Sequence, residues 1–216
     1  MVEYILNDKE IDGSYKKSLL VCNKYLKEDD WKNVYKYISN NDVKSLELSG
    51  INIDSIGLNY LCETVSNIYE FKLEWNDLID TYSEFDSLLE ALIKSSCRLV
   101  FLNNNKINHL HIHSLCKLIK HATNMTLLDL RWNEINDDGA KQILEVMKKN
   151  TTLLYLNLVG NKIVNNTTLK EINDILIRNK EFQEKLLEDN DAKIKNFKNL
   201  REMDFKLDKT DHLSKF

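Results

Sequence analysis

Apolar residues recur at fixed places along this chain, in five copies of one pattern. The copies read Val43-x2-Leu46-x-Leu48-x2-Ile51-x-Ile53, Ile68-x2-Phe71-x-Leu73-x2-Asn76-x-Leu78, Cys97-x2-Val100-x-Leu102-x2-Asn105-x-Ile107, Met125-x2-Leu128-x-Leu130-x2-Asn133-x-Ile135 and Leu153-x2-Leu156-x-Leu158-x2-Asn161-x-Ile163. The last three start 28 residues apart. Within a copy, Leu46 and Leu48, or Leu128 and Leu130, alternate with polar neighbours, the period of a strand with one buried face. The Asn position turns the chain. Helical spacing follows, as in Gly57, Leu61 and Val65 or Gly139, Ile143, Val146 and Met147.

A strand, turn and helix repeated at this period predict an α/β leucine-rich-repeat solenoid, with a curved parallel sheet on the concave side and helices on the convex side. Residues 43–178 hold the five repeats. Before them, Leu19, Leu20, Tyr25, Leu26, Trp31, Val34, Tyr35 and Ile38 fall at spacings of three and four, so residues 1–42 are expected to form a helical N-terminal cap. Repeat one has Ile51 at the Asn position, which marks an end repeat. Repeat two carries a longer segment, Ile79 to Phe85, read as a bulge at one rim: a harmless insertion or part of the binding face. From residue 179 to 216 charges of both signs dominate a helical tail, read as a capping helix with a frayed end or as a helix for partner binding or self-association.

Composition narrows the function classes. The chain has 216 residues, 43% hydrophobic, with a formal charge of −4. Interspersed charges build no positive field for nucleic acid. No apolar run approaches a membrane span, so no membrane insertion is expected, and the polar first residues do not read as a signal peptide. The cysteines, with Cys62, Cys97 and Cys116 on or beside apolar repeat positions, are expected to be reduced in a cytoplasmic protein. With no proline and five glycines, turns must come from Asn, Asp and Gly.

Candidate chemistry is sparse. His109, His111, His113, Cys116 and His121 are the one set with metal-ligand types, but His111 takes the place of Gly57 and Gly139 and no Cys pair closes a site. They are read as solvated histidines of the convex side, and no metal or cofactor is expected. No phosphate loop or Ser-His-Asp arrangement occurs, so the chain is read as non-enzymatic. Asn76, Asn105, Asn133 and Asn161 are expected to stack as a ladder that bonds turn backbone. On the concave face the outward strand positions are Glu47, Lys72, Phe101, Asp129 and Asn157, then Ser49, Glu74, Asn103, Arg131 and Val159, with Trp75 and Trp132 just before their ladder asparagines. Glu47, Lys72, Glu74, Trp75, Phe101, Asn103, Asp129, Arg131, Trp132 and Asn157 are the candidate contacts for a protein partner.

The runs Phe71-Lys-Leu-Glu-Trp-Asn-Asp-Leu78, Leu127-Leu-Asp-Leu-Arg-Trp-Asn-Glu-Ile135 and Asn150-Thr-Thr-Leu-Leu-Tyr-Leu-Asn-Leu-Val-Gly-Asn161, with the long second repeat, resemble one family. It is the animal centrosome-linker family, which joins ribonuclease-inhibitor-like leucine-rich repeats to a long coiled coil. The likeness covers roughly residues 14–176. It implies a non-enzymatic scaffold at the centrosome or basal body. Since only about 38 tail residues follow the repeats, docking of a partner is expected rather than fibre building. The repeats are also similar to those of Ran GTPase-activating proteins, which implies the alternative of a small-GTPase regulator, with Arg131 as the concave-strand arginine.

Overall fold

The computed structural model describes residues 4–188, apart from 12, 23–24, 52 and 79–80. Its elements run β1 (Tyr4–Ile11), β2 (Ser14–Cys22), α1 (Glu28–Asn41), β3 (Ser45–Ser49), α2 (Ser55–Thr64), β4 (Glu70–Glu74), α3 (Tyr82–Lys94), β5 (Leu99–Phe101), α4 (Ile112–His121), β6 (Leu127–Asp129), α5 (Asp137–Met147), β7 (Tyr155–Asn157) and α6 (Asn166–Glu188). The seven strands form one sheet in chain order. All neighbours from β2 onward pair in parallel, in a register that sets Leu46 beside Phe71 and Leu48 beside Leu73. A parallel pair needs a crossover, and the helix in each repeat supplies it.

The helices pack on one side of that sheet. Leu46, Leu48, Phe71, Leu73, Val100, Leu102, Leu128 and Leu130 project from the strands onto Leu58, Leu61, Phe85, Leu88, Leu115, Leu118 and Ile143, all buried in one continuous core. Helix starts are fixed locally. Asp54 and Asn136 cap α2 and α5 by accepting the N–H of Gly57 at 2.9 Å and Gly139 at 3.0 Å. Gly57 is also a packing requirement, because a Cβ there would lie 2.5 Å from Cζ2 of Trp31 in α1.

The N-terminal cap departs from the helical expectation. Residues 4–11 and 14–22 form strands, and among the described residues of the cap only α1 is helical. Leu19 and Val21 are buried while Leu20 between them is half-buried, the alternation of a strand. The spacing to Tyr25 and Leu26 matched a helix by accident. β1 and β2 pair antiparallel with Ile11 opposite Ser14, and Gly13 between them has φ +72°. Asp-Gly is a strong hairpin signal in the sequence, one that the helical expectation passed over. β2 then extends the repeat sheet, and Trp31, Val34 and Ile38 of α1 cover the first repeat.

The expected bulge in repeat two is also revised. Tyr82 to Phe85 are the first turn of α3, and Phe85 is fully buried in the core. Ile79 and Asp80 lie outside the described residues, as does the tail beyond Glu188 with its expected partner-binding or self-association helix. Among the described residues no helix is long and apolar enough to cross a membrane.

Candidate partner-binding surface on the strand-end rim

The turn after each strand is held by asparagine. Asn133 Oδ1 accepts from the N–H of Asn105 at 2.9 Å and of Ile107 at 3.0 Å. Its Nδ2 donates to the carbonyls of Leu102 at 2.9 Å, Leu130 at 3.0 Å and Arg131 at 3.2 Å. Asn105 does the same one repeat earlier, accepting from Asn76 N–H at 2.8 Å and donating to Leu73 O. Asn76 Oδ1 takes the N–H of Ile51 at 3.2 Å, and Asn161 Oδ1 takes that of Ile135 at 3.0 Å. Repeat one needs no asparagine of its own, because the next one reaches back to it.

The residue before each of these positions has a left-handed backbone. Gly50, Trp75, Asn104, Trp132 and Gly160 have φ of +62°, +57°, +59°, +54° and +75°. Their N–H groups donate to the following repeat: Gly50 to Glu74 O, Trp75 to Asn103 O, Asn104 to Arg131 O and Trp132 to Val159 O, at 2.9–3.2 Å. Glycine fits this conformation and asparagine tolerates it. Tryptophan does not, and a bulky residue there carries strain of order 1–3 kcal/mol. Both tryptophans are nonetheless exposed, Trp75 at 65% and Trp132 at 58%. The Trp132 ring lies against Gly160, so close that any Cβ at 160 would collide with it. The signal was present in the sequence, since two of the five copies place glycine where two place tryptophan.

The concave face behind this rim is more closed than its outward pattern implies. Phe101, Asn103 and Asp129 are buried, and Leu99, Phe101 and Leu127 form a second small core flanked by Tyr69 and Tyr155. Paired neighbouring strands bring these side chains together, so their burial is a packing effect that spacing alone does not reveal. Glu47, Lys72, Glu74, Arg131 and Asn157 are half-buried, Ser49 likewise, and Val159 is exposed.

Charges on this face are matched to one another. Burial would depress the Lys72 ammonium, but Glu70, Glu47 and Glu74 outweigh it and raise its pKa above the ordinary lysine value. Burial would raise the Glu70 carboxyl, yet Lys72 and Lys9, with a Ser45 hydroxyl at 2.7 Å, hold it below the usual range. Glu74 is pushed up, mainly by burial and further by Glu47 and Asp129, with Lys72 opposing. Arg131 grips Asp129 through Nε at 2.9 Å and Nη2 at 2.8 Å. Next to the tryptophans, Asp77 pairs with Lys106 at 2.5 Å and Glu134 with Lys162 at 2.7 Å.

The histidines do not all behave as a solvated set. His109, His113 and His121 are exposed, whereas His111 is fully buried. Its Nδ1 accepts from Asn108 N–H at 3.2 Å, and the Tyr82 and Phe85 rings meet it edge-on at 5.5 Å. It thus fills, beneath α3, the space that Gly57 and Gly139 leave in their repeats. Cys62, Cys97 and Cys116 are free thiols, and burial pushes Cys97 up to about 12 and Cys116 up to about 11.

Repeated strand–turn–helix units, a parallel concave sheet and asparagine-held turns define a leucine-rich-repeat solenoid. No protein-family model matches the chain, and no curated protein matches it. The fold is similar to the solved structure of leiomodin-1 actin-binding site 2, at 21% identity and a TM-score of 0.45, over 62% of this chain and 95% of that one. It is also similar to the tropomodulin C-terminal domain from Caenorhabditis elegans, at 16% identity and a TM-score of 0.42, over 61% and 96% of the two chains. At these identities the likeness is one of fold alone.

Proposed function

We propose that this chain is a non-enzymatic protein-interaction scaffold that docks partners on the rim formed by the strand ends. The observation that carries the reading is the pair Trp75 and Trp132. Two large aromatic side chains are kept exposed on strained left-handed backbone, on a rim whose N–H groups are bonded from repeat to repeat. Strain at an exposed residue is a cost to the fold, only partly offset at Trp132 by its packing on Gly160, and rigidly mounted tryptophan is a strong anchor for a protein partner. Docking at a centrosome or basal body from the cytoplasm is the setting implied by the resemblance of the Leu-Glu-Trp-Asn and Leu-Arg-Trp-Asn runs, and it forms part of this proposal.

The alternative role as a small-GTPase regulator would require Arg131 to reach a nucleotide. Its engagement with Asp129 favours the scaffold. Proximity labelling in cells with the wild type and a Trp75→Ala/Arg131→Ala double variant tests the docking surface. An unchanged set of labelled partners would remove it. A GTP hydrolysis assay with and without the protein separates the classes, since a scaffold leaves the rate unchanged.

A further inference from the structure

We infer that the rim binds a proline-rich segment in the polyproline II conformation, laid across the strand ends with prolines three residues apart on Trp75 and Trp132. The inference rests on the rim being the docking surface and goes on to say what that surface takes.

Spacing is the first argument. Trp75 follows β4 and Trp132 follows β6, with β5 and Asn104 between them, and all three are joined by the inter-repeat N–H bonds. Adjacent strands lie about 4.8 Å apart, which sets the two tryptophan backbones about 9.6 Å apart along the rim. A polyproline II helix advances about 3.1 Å per residue with three residues per turn, so residues i and i+3 are about 9.3 Å apart on one face. One turn of that helix matches the interval between the backbones that carry the indoles. An extended β segment puts same-side residues about 6.8 Å apart, and an α-helical turn is about 5.4 Å. Neither matches.

Charge is the second argument. Most ionic groups next to the indoles are closed in pairs, Asp77 with Lys106, Glu134 with Lys162 and Asp129 with Arg131, while Glu74, half-buried before Trp75, lies in the field of Lys72. A rim neutralised in this way complements an uncharged ligand, and an acidic or basic peptide would have to break those pairs. What the rim offers instead is apolar surface, from Trp75 through Trp132 to the exposed Val159 beside it. Half-buried Asn104, between the indoles, adds an amide donor. A polyproline II helix exposes carbonyls that seek donors and has no internal hydrogen bonds to lose.

The test uses the full chain and a capped decaproline peptide, with a capped Gly-Ser peptide of equal length as control. Trp31 is 1% exposed, so it serves as a silent background and fluorescence changes report Trp75 and Trp132. The expected result is a saturable blue shift with decaproline, none with Gly-Ser, and little change in affinity as salt rises. Trp75→Gly and Trp132→Gly should each weaken binding about tenfold or more. Glycine is the residue that Gly50 and Gly160 already place at this backbone position, so these variants keep the fold. No saturable shift, equal binding of the Gly-Ser peptide, or undiminished affinity in both variants would overturn the inference. So would sedimentation equilibrium showing a dimer that Trp132→Gly dissociates, since the occupant would then be a second copy. If the two variants lose labelled partners in cells while decaproline fails to bind, the docking rim stands and the proline reading falls.

Discussion

Replacing Asn133 by alanine removes the centre of the turn ladder, and the structure gives the size of the effect. Two backbone donors, Asn105 N–H and Ile107 N–H, lose their acceptor, and the Leu102 carbonyl loses a donor. All three residues are buried. A stranded buried polar group costs about 1–3 kcal/mol, so the loss should be about 4 kcal/mol, a large part of the roughly 5–15 kcal/mol that holds a domain folded. Asn161→Ala offers an internal comparison. That side chain is half-exposed, accepts one N–H, that of Ile135, and donates to the Leu130 and Leu158 carbonyls, of which Leu130 keeps its bond from Asn133. Its loss should be about 1–2 kcal/mol. Urea denaturation followed by circular dichroism reads both variants as shifts in midpoint at constant m-value. Equal losses for the two, or less than about 1 kcal/mol for Asn133→Ala, would refute the account.

Three further outcomes are expected. Trp75→Gly should be more stable than Trp75→Ala by about 1 kcal/mol in urea denaturation, because alanine keeps the left-handed penalty that glycine escapes; a more stable alanine variant would mean the backbone at 75 is not left-handed in solution. Gly57→Ala should destabilise by about 1–3 kcal/mol despite alanine's better helix propensity, since its Cβ would meet the buried Trp31 ring, and a rise in thermal midpoint would contradict that packing. Burial lowers the His111 pKa, so the unfolded chain takes up this proton first as pH falls. Stability should therefore be full above about pH 6.5 and decline below it, and His111→Gln should flatten that part of the profile measured by urea titration; an unchanged slope would remove His111 as the cause.

The repeat period made the solenoid legible because each buried Leu or Phe recurs where the strand must face the helices. The cap was misread because Leu19, Leu20 and Leu26 satisfy helical spacing while Leu19 and Val21 satisfy strand spacing, and length decides nothing over nine residues. Site residues divided by enclosure between neighbouring strands. Phe101 and Asp129 carry the outward pattern yet are enclosed by neighbouring strands, a three-dimensional effect that alternation does not encode. Trp75 and Trp132 stand on the strand-end rim, and the glycines at 50 and 160 carried the conformational signal in one dimension.

The ladder gives the array a direction. Asn76 donates its N–H to Asn105, which donates to Asn133, so each turn is completed by the unit after it. A copy of residues 97–124 spliced in frame after residue 124 would find its acceptor and its donor already waiting on either side. Such a molecule can lengthen by duplication without inventing a new joint, and every added unit would move the two halves of its rim apart by one strand width.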